Sequence, residues 1–130
     1  MAGSSFDHIG AAVDPLCLPP DPQYLKYKSG YQNWVQVFGT EYQTHHTSLE
    51  HSLDHNVPCA LGQVYGHTNK IMIPSHYEYP SGWRRQYYGH LMTRHLGHKA
   101  ATQFTCIDKS LEQIPGTGGN IYWRKTVLYS

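Results

Sequence analysis

One stretch of the chain sustains a helical period long enough to build a substantial element. Between Ser81 and His98, apolar or aromatic residues fall at 83, 87, 88, 91, 92 and 96. That i, i+4, i+5 spacing lines one face of a helix. Ser81 is placed to cap the start, with Pro80 just outside it, and Gly97 is placed to end it. Arg84, Arg85, His90, Arg94 and His98 fall largely off the stripe. The spacing predicts a main α-helix over about residues 82–97, flanked on both sides by extended chain.

What could cover the stripe is limited by the rest of the chain. Leu, Ile, Val and Phe together make up 25 of the 130 residues, just under the fraction of roughly 20% below which a conventional core is hard to build. Charge does not explain the shortage, because the formal net charge is +1 and charged residues are 15%. In place of aliphatics stand 11 Tyr, 3 Trp, 10 His, 12 Gly and 8 Pro. Tyr and Trp bring large contact area, a polar handle and few rotors to freeze, and so concentrate at interfaces. Ordering a chain costs on the order of 1–2 kcal/mol per residue, and little aliphatic area is present to offset it. Much of the chain is therefore expected to be ordered by a partner.

The remaining segments agree with a mostly irregular, extended fold class with few short α-helices, little β structure and no large independent core. The 130 residues read as a single unit. Within it, residues 1–22 form an extended, Pro-rich N-terminal segment: Met1–Ser5 is a small polar tail, and Asp14-Pro15 and Pro19-Pro20-Asp21-Pro22 favour polyproline-like chain. Residues 23–130 form an aromatic-rich binding region around the central helix. Tyr24, Tyr27, Tyr31, Trp34, Phe38 and Tyr42 recur every three to four positions, yet Ser29-Gly30 interrupts them. Trp34–Phe38 also reads as a short strand that Gly39-Thr40 closes. Thr47 and Glu50 fit a capping box for a short helix over about residues 48–55, which Pro58 stops. Ile71–Ile73 could form a three-residue strand, residues 115–120 a turn-rich loop, and residues 121–129 a strand or an aromatic tail.

Several functions lack their chemistry. The densest basic group is Arg84-Arg85, too little for a phosphate-binding surface, so no nucleic acid is expected. No run approaches 18 apolar residues, so no membrane span is expected. The N-terminus shows no basic region followed by an apolar run, and so no secretory signal is visible. Cys17, Cys59 and Cys106 are odd in number, widely spaced and form no CxxC pair, which reads as reduced thiols in a cytosolic compartment. His51 and His55 stand at i, i+4, a spacing that can grip zinc. The segment lacks the Glu after the first His that a HExxH protease requires. His90 and His95 lie about 140° apart on a helix of 100° per residue. No metal and no cofactor are expected. There is no GxSxG elbow, and Gly116-Thr117-Gly118-Gly119 lacks the Lys of a phosphate loop. No catalytic residue is assigned, and the chain reads as a non-enzyme.

Two groups of residues carry a resemblance. They are Gly30-Tyr31-Gln32-Asn33-Trp34 with Phe38-Gly39-Thr40-Glu41-Tyr42, and Phe104-Thr105-Cys106-Ile107-Asp108-Lys109 followed by Glu112-Gln113-Ile114-Pro115-Gly116. In these stretches and in composition the chain resembles the small microtubule inner proteins of ciliary and sperm-flagellar axonemes. The resemblance implies an extended structural protein that binds tubulin and neighbouring inner proteins in the lumen of doublet microtubules and stabilises the lattice for motility. It implies a cytoplasmic, cytoskeletal, axonemal location. The family has no catalytic signature to carry over. On this reading the partner-binding residues are Tyr31, Trp34, Phe38, Tyr42, Trp83, Tyr87 and Trp123, with Arg84 and Arg85 donating to carboxylates. The alternatives are a compact soluble protein-interaction module, with helix 82–97 packed on strands from 32–38 and 121–129, and a His-rich metal-binding protein.

Overall fold

The computed structural model describes residues 1–10, 12–32, 36–44, 47–76, 78–119 and 126–128. The chain is mostly irregular, with little regular structure. Its elements are β1 (Ala2–Gly3), β2 (Phe38–Tyr42), a 3₁₀ helix (Thr47–Ser52), β3 (Gly89–Met92), β4 (Thr105–Asp108) and β5 (Thr126–Leu128). Two small sheets result among the described residues. One has the order β1-β2-β5, and the other is the pair β3-β4.

β2 is the hub of the first sheet. Its Phe, Thr and Tyr are strand-forming residue types. Ala2 and Gly3 pair antiparallel with Gly39 and Phe38. On β2, Thr40, Glu41 and Tyr42 pair in parallel with Thr126, Val127 and Leu128. The chain leaving β2 turns through the 3₁₀ helix and reverses at Asp54, whose φ is 60°. It then runs back along β2, where the Asp54 N–H donates to the Tyr42 carbonyl at 2.9 Å and the Val57 N–H to that of Thr40 at 2.9 Å. Thr40, Glu41 and Tyr42 are consecutive and all buried, as befits a strand covered on both faces.

The two sheets meet in one small core. Tyr42 from β2, Leu49 from the 3₁₀ helix, Val57 from the returning chain, Met92 from β3 and Ile107 from β4 form the cluster, with Met1 and Leu111 packed against it. Each member comes from a different segment, so this core ties the chain together without being large. No helix among the described residues is long and apolar enough to cross a membrane.

Four expectations are corrected. The main helix over 82–97 does not form, and with it goes the central helix of the binding region. Gly82 has φ of 89°, a left-handed conformation that a right-handed helix cannot continue through. The Trp83 N–H closes a turn on the Pro80 carbonyl at 3.1 Å, and a second turn joins the His98 N–H to the His95 carbonyl at 3.0 Å. Between these turns lies β3, paired with β4 from Gly89↔Asp108 to Met92↔Thr105. Gly89 decides the matter locally. Glycine costs a helix interior about 1 kcal/mol, and here a Cβ would collide with the backbone carbonyl of Ile107, so its absence is what lets the strands close.

The short α-helix over 48–55 is instead a six-residue 3₁₀ helix, Thr47–Ser52. Two turns of α-helix are marginal, and the tighter winding sets Leu49 into the core before the chain reverses at Asp54. Met1–Ser5 is not a loose polar tail. Ala2, Ser4 and Ser5 are buried, Ala2 exchanges backbone hydrogen bonds with Leu16 at 2.8 and 2.7 Å, and the Met1 ammonium donates to the Val57 carbonyl at 2.7 Å. Finally, Cys17 and Cys59 are not separate thiols. They form a disulfide with Cα atoms 5.5 Å apart, while Cys106 remains free. Their separation of 42 residues hides this pairing from spacing rules.

Other local readings shift by a few residues. Of the strand expected over 34–38, residues 34–35 lie outside the described residues, 36–37 are not strand, and strand β2 runs over Phe38–Tyr42, where Gly39-Thr40 continues it rather than closing it. Ile71–Ile73 is not a strand. Of the tail over 121–129, residues 126–128 are strand β5 and the rest lies outside the described residues.

Candidate partner-binding surface

The approach to β3 places four of the expected binding residues in one run. Trp83, Arg84, Arg85 and Tyr87 are all exposed, because the turn at 81–82 releases the chain into an extended segment before pairing begins. Tyr87 leans on β4, its hydroxyl donating to the Cys106 carbonyl at 3.3 Å. Burial, with Cys106, Tyr79 and Asp108 adding to it, pushes the Tyr87 phenol above its ordinary value.

Tyr88, which the sequence reading leaves unassigned, is the centre of this surface. The Arg85 guanidinium lies 4.9 Å from its ring centroid. The Lys109 ammonium lies 5.5 Å from the same centroid and donates to the Tyr88 hydroxyl at 3.3 Å. Backbone pairing sets this up: the Lys109 N–H donates to the Tyr88 carbonyl at 3.0 Å, one step beyond the β3-β4 register. Two cations drawn to one exposed aromatic ring, each pairing worth about 0.5–1 kcal/mol at an exposed site, make a positively charged aromatic patch. Its chemistry suits an acidic protein surface.

Tyr31 and Phe38 belong to a different place. Tyr31 is exposed and borders a groove of about 760 Å³ whose walls include Asp7, His8, Asp14, Leu16 and Val37. The Gln36 amide donates to the Tyr31 hydroxyl at 2.6 Å. Phe38 is half-buried, with the His8 ring edge-on at 5.9 Å. Asp7 is held below the usual carboxylate range, chiefly by the Ser5 hydroxyl. Tyr42 departs from the expectation. It is 2% exposed, its hydroxyl donates to the Glu112 carbonyl at 3.1 Å, and its ring belongs to the core. Trp34 and Trp123 lie outside the described residues.

Sequence reasoning missed Tyr88, Lys109 and Arg94. The signal for the first two is a tyrosine next to a cation-bearing run. The contribution of Lys109 depends on a strand register that no local pattern reveals. The free thiol of Cys106 is pushed up by burial and then by Asp108, the opposite of what a nucleophilic cysteine needs. Among the described residues no three His, Cys, Asp or Glu gather as a metal site. His55 turns its Nδ1 to the Leu53 carbonyl at 2.9 Å.

No protein-family model matches the chain, and no curated protein or solved structure matches it.

Proposed function

We propose that this chain is a structural microtubule inner protein that binds tubulin, beside neighbouring inner proteins, in the lumen of axonemal doublet microtubules. It stabilises the lattice on which ciliary and flagellar motility depends. The observation that carries this reading is surface. The chain exposes 10220 Å² at 14.8 kDa, whereas a compact monomer of that mass exposes about 7,000 Å². The surplus of roughly 3,000 Å² exceeds the ~800 Å² that one partner contributes to a standard interface. The exposed side chains include Tyr24, Tyr27, Tyr31, Tyr65, Trp83 and Phe104, which are interface residue types. A chain spread over several subunits gains from many modest contacts held at high effective concentration. Because such contacts exist only on assembled lattice, they stabilise it by mass action.

The test is the fate of a tagged copy in a ciliated cell. It is expected on the axoneme after detergent extraction and to resist moderate salt. A diffuse, fully extractable pool overturns the reading. The triple substitution Trp83→Ala, Arg85→Ala, Tyr87→Ala is expected to lower axonemal retention at least about tenfold, the equivalent of 1.4 kcal/mol.

A second reading, a compact protein-interaction module that holds its fold alone, is favoured by the Cys17–Cys59 bond, since disulfides are rare in reducing compartments. Alkylation of the protein at the moment of cell lysis separates the two. One blocked thiol per chain supports the module, and three support the cytoskeletal reading.

A further inference from the structure

Arg94 is a buried cation whose contacts are all neutral. It is 7% exposed. One terminal nitrogen donates to the Ser4 carbonyl at 2.8 Å and the Ser4 hydroxyl at 3.2 Å. The other donates to the carbonyls of Ala100 at 3.0 Å and Ser5 at 3.5 Å. Its Nε–H is buried and has no acceptor. A buried charge held only by dipoles is costly unless a counter-charge completes it.

A cavity of about 300 Å³ adjoins this guanidinium. Arg94, His95, His98 and Lys99 line it together with Thr93 and Thr102, and no carboxylate does. The turn at 95–98 gathers these groups: His95 and His98 sit with ring centroids 5.6 Å apart, and Lys99 follows directly. The gathering is unfavourable by itself. Burial, then His95, then Arg94 depress the His98 imidazole below its ordinary value. Lys99 also acts on Asp7, which is not part of the cavity wall. Two fixed cations, Arg94 and Lys99, and two imidazoles line this cavity with no acid in its wall, which gives it a positive potential.

We propose that this cavity binds a free, small oxyanion of the phosphate type, held by Arg94, His98, His95 and Lys99. The oxyanion balances the charge of Arg94, whose terminal N–H groups stay on Ser4, Ser5 and Ala100, and accepts hydrogen bonds from Lys99 and the two imidazoles. The site locks the N-terminal segment, through the Ser4 and Ser5 carbonyls on Arg94, to the turn after β3. The assignment does not rest on the microtubule reading and stands or falls separately from it.

The test is titration of the full chain with inorganic phosphate, followed by amide chemical shifts, with sodium chloride holding ionic strength constant. Saturable shifts confined to residues 4–5 and 93–102 are expected. The double substitution His95→Gln, Lys99→Gln touches exposed groups and leaves the Arg94 contacts in place. It is expected to weaken binding at least about tenfold, through the loss of charge-assisted hydrogen bonds. Lys109→Gln, outside the cavity, is expected to bind as the parent does. The proposal is overturned by shifts that do not saturate, by an equal response to chloride alone, or by parental affinity in the double variant.

Discussion

The Tyr42 hydroxyl shows how one residue type serves opposite roles. Aromatic spacing marks Tyr42 and Tyr31 alike, yet one is 2% exposed and the other 75%. Burial, with Glu112 adding repulsion, pushes the Tyr42 phenol from its ordinary value of 10 up to about 12. A raised value means the folded chain keeps its proton after the unfolded chain has lost it. The stabilisation is therefore complete below pH 10 and is lost as pH rises towards 12. At about 1.4 kcal/mol per unit, the loss across that window is on the order of 3 kcal/mol. Chemical denaturation at a series of pH values should show this alkaline slope in the parent and a shallower one in Tyr42→Phe. At neutral pH the same variant should lose about 0.5–1.5 kcal/mol from the missing bond to the Glu112 carbonyl. Sequence shows that these tyrosines will make contacts. Which of them face inward depends on the strand that carries each one, and that is set by pairing partners far along the chain.

At the scale of elements, the segment from 81 to 98 shows why a clear period misled. Its apolar positions fit a helical face, but Tyr88-Gly89-His90-Leu91-Met92 also fits a strand, and periodicity alone does not weigh the two. The weight comes from Thr105–Asp108, thirteen residues past Met92, whose Thr, Cys and Ile accept the strand as neighbour. A lone helix of this length is marginal in water without packing, whereas the strand sets Met92 and Ile107 into the core. Gly89→Ala tests the account. It raises helix propensity by about 1 kcal/mol and places a methyl against the Ile107 carbonyl. Stability is expected to fall by about 1–3 kcal/mol, as overpacking does, with loss of amide protection at residues 89–92 and 105–108. A gain in helical circular dichroism without loss of stability would restore the helical reading. The broad fold class, little regular structure and little core, was legible because it depends on composition. The strand registers were not, because they depend on residues dozens of positions apart.

For the molecule as a whole, the N-terminal segment is held by several independent ties. β1 lies on β2, Ala2 pairs with Leu16, Arg94 holds the carbonyls of Ser4 and Ser5, and Cys17 bonds to Cys59. The disulfide closes a loop whose ends are 42 residues apart, which by chain entropy is worth up to about 4 kcal/mol. The paired substitution Cys17→Ser, Cys59→Ser should therefore lower the denaturation midpoint clearly. Hydrogen exchange should place the earliest openings in residues 1–18 and 54–60. An unchanged midpoint would mean that the remaining ties suffice and that the bond is dispensable. Either result leaves the exposed patch at Trp83, Arg85, Tyr87 and Tyr88 in place, because β3-β4 pairing, not the disulfide, positions it.

The placement of β2 between β1 and β5 sets an order of events during synthesis. β1 and β2 are available to each other early, once the first third of the chain has left the ribosome. β5 pairs directly with Thr40–Tyr42 but is made more than 80 residues later, and closing so long a loop carries an entropic penalty that grows with the logarithm of its length. One edge of β2 therefore waits, uncovered, until β5 has been made. An open strand edge is the template for pairing with foreign chains. The nascent protein is thus most vulnerable to misassembly in the interval between the emergence of β2 and that of β5, and a chaperone that shields strand edges would act in that interval.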